Sequence, residues 1–510
     1  MTPLPAWSLS LLALVAVAAP VGAADLRAGT AVVDITDHAA GPVHDPALAK
    51  ALVLEQDGRT AVLVTIDAVA IGGIGRIDDA FLPALRARVA RESAIPPDAL
   101  FVNASHCHAT VRTDLVDLVA GAVAAAKRRL EPVAVGAGSA TESRISENRR
   151  LSLADGSQAD MRRAYSLPAD DAIAAVGPID PTIGLLRIDR IGGGTLAVVY
   201  LFACHPIMNP PAKGSSADFP GVASRLVETA LGGDAVAFFV QGCGGDVNPV
   251  RYKEIDRAPD AEPLGRLLGG SVLEGLAAIT PRPGAPLAVA RETVALPRAA
   301  DIDARITRLL FERERTVAGL TPTNLSFADF VGQLVARGID PESPGASRQR
   351  LLHDDALGRS APWHDAAVAA EVAAYRRNID ALERLTRLNT NLALLRQHRE
   401  RRAAATEDTV AAELGALRVG EFRVVTFPGE LVVETGRAVR RAAGEGTTFV
   451  AGYTDGYLHY LPTPRQRANT GFAQEDCDCL VAAEWEEVFT TTAATLLRRL
   501  DEAPPGAPRP

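Results

Sequence analysis

Short runs of unbroken apolar residues, each closed by a polar or Gly-rich turn, recur along the first part of this chain and narrow what it can fold into. Ala61–Ile66 (AVLVTI), Leu100–Ala104, Leu196–Ala203 and Ala235–Val240 are too short for buried helices and lack the polar alternation of a strand with one wet face. They read as strands covered on both sides. Between them lie helical stretches. Thr113 is placed to cap a helix whose apolar positions Leu115, Leu118, Val119 and Val123 recur at helical spacing. From Leu26 to about Arg298 the pattern is therefore α/β, with mixed β-sheets layered with helices. At 510 residues, with 47% hydrophobic and 23% charged residues, the chain has material for a large core.

Strand signals stop at residue 301. Val368, Val372, Tyr375, Ile379, Leu382, Leu385, Leu388, Leu392 and Leu395 recur every three or four residues, which predicts one long amphipathic helix. Ile302, Ile306, Leu309 and Leu310 predict another. Residues 301–405 thus read as a helical insertion, peripheral to the core, whose His353, His364 and His398 take solvated or packing roles. Strand-like runs return at Leu417–Phe427 and Thr448–Tyr453. Residues 25–300 and 406–503 are accordingly read as two parts of one catalytic domain around the insertion, and the Pro-rich tail 504–510 as disordered.

Residues 1–24 read as a signal peptide, because an apolar run from Leu9 to Val21 leads into the small residues Val21-Gly22-Ala23. Cleavage after Ala23 or Ala24 gives a secreted or periplasmic protein; a short membrane anchor is the other reading of the same run. No later segment reaches spanning length, so the only membrane contact expected of the mature chain is transient and at the surface. A net charge of −9 without a basic stripe excludes nucleic acid as a partner. Of the five cysteines, Cys107, Cys204 and Cys243 read as small buried residues, while Cys477 and Cys479 stand too close to pair with each other.

Four segments carry chemistry. His106-Cys107-His108 follows the strand-like Leu100–Ala104, and in extended chain two imidazoles two residues apart face one side, with Cys107 turned away. His205 stands at the end of another apolar run, where a lone histidine is more often structural than ligating. Gln241–Pro249 (QGCGGDVNP) is a Gly-rich turn that lets backbone amides approach a ligand, and it lacks the Lys-Ser/Thr ending of a nucleotide loop. Pro428-Gly429-Glu430 puts a carboxylate after a strand, and Tyr457-Leu458-His459-Tyr460 follows a turn. Alone, Glu430 reads equally as a solvated turn residue.

Their order is more specific than any one of them. The chain resembles the neutral (non-lysosomal) ceramidase family in Ala28-Gly29, Asp34-Ile35-Thr36, His44-Asp45-Pro46, Asn103–His108, Asn148-Arg149, the His205 strand, Asp218–Gly221, Gly245–Pro249, Pro428–Glu430 and His459-Tyr460. The resemblance implies one Zn2+ per chain held by His106, His205, Glu430 and Tyr460, and hydrolysis of a small-molecule or lipid N-acyl (amide) substrate, of sphingolipid type, by metal-activated water. It implies His108 as proton donor or hydrogen-bond partner to the attacked carbonyl, and Arg149 as the group holding a polar or anionic part of the substrate.

Departures from the family pattern are equally legible. The family's serine matches Asn248, the loop after the His-x-His pair is the brief Ala109–Arg112, a downstream tyrosine is Phe472, and the C-terminal β-sandwich of many members has no counterpart after Tyr460. With an amide at position 248 no acyl intermediate forms there. Water then attacks directly, and the Asn248 NH2, helped by N–H groups of Gly244-Gly245, donates to the developing oxyanion. Two other readings stay open. One is a non-catalytic metal-binding relative that keeps the fold; the other is an amidohydrolase-type enzyme acting on another small amide or ester.

Overall fold

The computed structural model describes residues 25–160, 168, 170–209, 214–254, 257–337, 356–357, 366–444, 446–471 and 473–502. The expected signal peptide and tail, and His353, His364 and Phe472, lie outside these residues. In chain order the strands are β1 Arg27–Asp34, β2 Leu48–Gln56, β3 Arg59–Ile66, β4 Leu100–Ala104, β5 Glu131–Thr141, β6 Ser146–Asn148, β7 Arg150–Leu153, β8 Gln158–Asp160, β9 Ile173–Val176, β10 Thr182–Arg190, β11 Thr195–Phe202, β12 Val236–Gln241, β13 Val247–Pro249, β14 Leu287–Pro297, β15 Thr409–Val419, β16 Phe422–Thr426, β17 Glu430–Leu431, β18 Thr448–Ala451 and β19 Tyr460–Leu461. The helices are α1 Phe81–Ser93, α2 Leu115–Arg128, α3 Asp218–Leu231, α4 Glu262–Ala277, α5 Ile302–Ala318, α6 Phe327–Arg337, α7 Ala366–Ala404, α8 Val433–Ala442, α9 Pro464–Arg467 and α10 Trp485–Glu502.

Two sheets form the middle of the molecule. The larger has eight strands in the order β12-β11-β10-β5-β1-β2-β3-β4, and the smaller has four, β14-β15-β16-β18. Pairings are mostly antiparallel, but β3 with β4, β11 with β12, and β16 with β18 run parallel. The alternating faces of each strand explain the layering. Along β3, Val62, Val64 and Ile66 pack with Leu85 and Val89 of α1 and Val119 and Val123 of α2. Ala61 and Leu63 face the other way, into the core shared with Leu417, Phe422, Val424 and Phe449 of the small sheet. Helices α3 and α4 cover β10–β12, and α10 covers the small sheet through Trp485, Phe489 and Leu496. Helix, sheet, sheet and helix thus stack in four layers, the α/β arrangement of mixed sheets and helices that the sequence predicts. At Gly184 in β10 the layers touch so closely that a Cβ would stand 2.7 Å from the Phe449 ring.

The core between the sheets joins Leu52, Leu63 and Phe101, before the insertion, to Leu417, Val419 and Phe449, after it. Details differ from the sequence reading. Leu417–Phe427 is not one strand but the adjoining parts of β15 and β16, turned at Gly420, whose φ is 62°. Asp114 rather than Thr113 occupies the cap position of α2, without a side-chain cap bond. The periodicity from Val368 to Leu395 falls inside the 39-residue α7. All five cysteines are buried and free.

The ends of the parallel strands converge at one place, and Asn103 ties them. Its Oδ1 accepts the Gln241 N–H at 2.9 Å, and its Nδ2 donates to Gly452 O at 2.8 Å and Thr454 Oγ1 at 2.9 Å. One buried amide thereby joins the carboxyl ends of β4 and β12, the two edges of the large sheet, to that of β18 in the small one. The sheet must therefore curl as well as twist: strand-to-strand rotations of about 20–25° turn the edge strands through roughly half a turn, and curling brings them together. Asn103→Ala strands these buried partners. It is expected to lower unfolding free energy by roughly 2–4 kcal/mol in a denaturant titration.

Candidate metal centre

Each sheet-end loop delivers one polar side chain to a common point. After β4 the chain is held by Ser105 N–H to Ile66 O and His106 N–H to Ala68 O, both 2.9 Å, and His106 adopts φ 67°. That left-handed residue ends the extended stretch. His108 therefore does not join His106 at the point where His205 and Glu430 meet, as alternation along a strand predicts; their ring centroids stand 5.8 Å apart and His108 lines the pocket beside them. After β11, His205 is pinned by its N–H to Val247 O at 2.9 Å. After β16, the Glu430 N–H bonds to His459 O at 2.9 Å, in the short parallel pair of β17 and β19 that sets Glu430 beside Tyr460.

His106, His205 and Glu430 present ligand atoms that all lie within 4.8 Å of one another. Glu430 Oε2 is 3.1 Å from His205 Nε2 and 3.6 Å from His106 Nε2. The opposite ring nitrogens are committed to backbone carbonyls. His106 Nδ1 donates to Val69 O at 2.6 Å, and His205 Nδ1 to Gly244 O at 2.6 Å and Val247 O at 3.1 Å. A proton on each Nδ1 leaves the Nε2 lone pairs facing a carboxylate. Burial, before any other cause, pushes His106 down to about 4, so at neutral pH its ring does not supply positive charge. Burial pushes the Glu430 carboxyl up, and the hydrogen bond it accepts from the Tyr457 hydroxyl opposes that shift. Two neutral imidazole nitrogens and an anionic oxygen pointed at one spot are a donor set for a cation, with the Nδ1 bonds fixing the ring tautomers.

The carboxylate has two further partners that sequence reasoning missed. The hydroxyls of Tyr453 and Tyr457 both donate to Glu430, the former at 3.1 Å. Burial, and then the Glu430 charge, raise both phenols well above their ordinary value, so they remain donors. The signal was the turn Gly452–Gly456, where Tyr453 and Asp455 take φ of 52° and 61°. Tyr460 stacks on His205 with centroids 6.4 Å apart and lies under the Arg149 guanidinium, 5.4 Å away.

Arg149 and Asn248 form one unit. The buried guanidinium donates to Glu475 Oε1 at 2.6 Å, to Asn248 Oδ1 at 2.9 Å and to Gly245 O at 2.5 Å. Its charge is thus engaged inside the protein, so it braces the pocket wall rather than standing open to an anionic substrate group. Because arginine only donates, the Asn248 amide must turn its oxygen to Arg149, and its Nδ2 is buried with no hydrogen-bond partner among the described residues. The Gly-rich turn contributes differently from its sequence reading. Gly244 N–H bonds to Gly242 O and Gly245 N–H to Leu431 O, so these amides are consumed internally, and the turn offers its carbonyls to His205 and Arg149.

His106, His205, Glu430, Tyr460, Arg149 and Asn248 line a cavity of about 360 Å³ together with Leu394 and Gln397 of α7. The insertion is therefore not peripheral. His398 is fully buried and bonded to Asp478, not solvated.

Known proteins share this arrangement of sheets. A neutral ceramidase of Mycobacterium tuberculosis is 27% identical over 327 residues, which is 59% of this chain and 46% of that protein. The solved neutral ceramidase of Pseudomonas aeruginosa superposes with a TM-score of 0.58 at 16% identity, over 95% of this chain and 76% of that one. A ceramidase complexed with C2 gives 0.56 at 16% identity, over 95% and 77%. In its fold the chain is similar to these neutral ceramidases. No family model matches it. It spans about half the length of the curated relative, and at this identity the structural likeness is one of fold.

In this site the tyrosine hydroxyls orient Glu430 without touching the rings of His106 and His205 through hydrogen bonds. Tyr457→Phe is expected to leave the fold intact and weaken metal affinity roughly 10–100-fold, as loss of such outer partners does. Competition with a chromogenic chelator measures it.

Proposed function

We propose that the chain is a zinc-dependent hydrolase of N-acyl amide bonds, ceramidase-like in its choice of a lipid amide. The observation that carries this reading is the convergence of His106, His205 and Glu430, with both Nδ1 atoms committed to backbone carbonyls. Mixed imidazole and carboxylate donors suit zinc better than a hard cation that takes oxygen alone. Tyr460, beside His205, is the proposed fourth ligand. When bound, zinc supplies Lewis acidity to a carbonyl oxygen and makes water a better nucleophile at neutral pH.

The chain's own groups do the rest. Asn248 Nδ2, buried and unpartnered, is the donor we assign to the carbonyl oxygen as negative charge develops there. Arg149 keeps that donor aimed by holding the amide oxygen. His108 lines the same pocket and, neutral at rest, is the group we assign to take a proton from the attacking water and pass it to the departing nitrogen. Because an amide is no nucleophile, water rather than an acylated side chain carries the reaction. The apolar run Leu9–Val21 supports secretion or a periplasmic location for the mature chain. Among the described residues no helix is long and apolar enough to cross a membrane.

Elemental analysis of the purified mature protein is expected to give about one zinc per chain, and His106→Ala or His205→Ala to lose both metal and turnover. Full zinc in both variants defeats the assignment. Zinc with no turnover on short- and long-chain N-acyl substrates instead establishes a non-catalytic relative. Asn248→Ala is expected to lower kcat roughly tenfold to a thousandfold while keeping its zinc. An acyl adduct trapped by mass spectrometry during turnover refutes direct attack.

A further inference from the structure

Helix α7 carries two stripes. Leu388, Leu392 and Leu395 are buried against Ile302, Ile306 and Leu309 of α5 and against Cys477. Leu394, Gln397 and Arg401 recur at i, i+3 and i+7 on a neighbouring stripe. Leu394 and Gln397 line the cavity of the metal centre, and Arg401 Nη1 donates to His459 Nε2. His398 lies between the stripes, fully buried, and its Nε2 donates to Asp478 Oδ1 at 2.8 Å. The same oxygen is 3.0 Å from His459 Nδ1.

This chain of contacts ends at the proposed ligands. The carbonyl of His459 accepts the Glu430 N–H at 2.9 Å, and the carbonyl of Asp478 accepts the Tyr460 N–H at 3.1 Å. His459 itself holds φ 60° and packs its ring 5.0 Å from that of Tyr457. His398, His459 and Asp478 have the composition of a second cation site. The guanidinium on the far nitrogen of His459 argues against it: that nitrogen must accept, so the near one carries a proton toward Asp478, and a second cation would sit beside a fixed positive charge.

We infer that α7 is the specificity wall of the pocket, with Leu394 and Gln397 as its substrate contacts and His398 and Asp478 as positioning residues that lock the helix to His459. Gln397 offers one donor group and one acceptor to a neutral polar part of the substrate, and Leu394 offers apolar surface one turn away. The inference rests on the hydrolase reading and deepens it. An insertion remote in sequence from every proposed ligand thereby selects what the ligands act on.

Steady-state kinetics of zinc-loaded protein on a panel of neutral N-acyl amides tests it. Gln397→Ala is expected to raise KM about three- to tenfold with kcat held within about twofold. His398→Ala shifts KM the same way, and His398→Gln, whose amide N–H can reach Asp478, restores it. An unchanged KM in Gln397→Ala, or a loss confined to kcat, overturns the wall. Failure of His398→Gln to restore KM overturns the clamp. A second zinc that wild type retains and Asp478→Asn loses makes the cluster a metal site and also overturns it. If zinc-loaded wild type turns over none of the panel, the hydrolase reading fails by itself, and calorimetric binding of the same amides decides the wall. Weaker binding by Gln397→Ala supports it; equal binding, or none by either protein, refutes it.

Discussion

A carboxylate with almost no exposed surface is the constraint around which this molecule is arranged. Glu430 is 1% exposed, and an ionised group so placed costs several kcal/mol unless its neighbours replace the lost water. Two tyrosine hydroxyls do part of this. The imidazoles do not complete it, since their donor N–H groups are spent on Val69, Gly244 and Val247. A cation placed among the carboxylate and the Nε2 atoms of His106 and His205 would satisfy all three donors at once. The donor chemistry therefore asks for a cation on grounds independent of any relative.

Holding that constellation imposes strain on the loops that supply it. Non-glycine residues with positive φ include His106, Tyr453, Asp455 and His459, all at or beside the site, and L-residues pay about 1–2 kcal/mol each for such backbone. The compensation is convergence. Ala104 N–H bonds to Tyr453 O, Asp455 N–H to Val102 O, and Asp455 Oδ1 accepts the Val102 N–H, so the strained turn after β18 is hydrogen-bonded along β4. Rigid sheet ends over-determine the turns between them, and the ligands inherit that rigidity.

Much of the architecture was legible because burial on both faces writes itself as uninterrupted apolar runs, as at Ala61–Ile66 and Leu100–Ala104. The periodicity of α7 was equally plain. What sequence did not reveal was contact across the chain. Nothing local marks Asp478 as the partner of His398, eighty residues away, or Tyr453 and Tyr457 as donors to Glu430. The reading of the insertion as peripheral failed for the same reason: amphipathic spacing identifies one buried stripe, while the adjacent stripe of Leu394 and Gln397 is half polar and resembles solvated surface. The His-Cys-His geometry failed because alternation assumes extended backbone, and His106 is not extended.

Asn248 shows how a departure from a family pattern can preserve a site's polarity while changing its chemistry. A hydroxyl at this position would accept from Arg149 and turn one O–H toward the pocket. The amide does the same with Oδ1 and Nδ2, and because the guanidinium admits only an acceptor the orientation is settled without ambiguity. Both side chains thus offer the pocket a donor. They differ in that a hydroxyl can lose its proton and attack, whereas the amide nitrogen, its lone pair delocalised into the carbonyl, cannot. The same reasoning bears on Arg149. With Glu475 and Gly245 O taking two more of its five N–H groups, Arg149 holds Asn248 and covers the Tyr460 ring while it also lines the pocket.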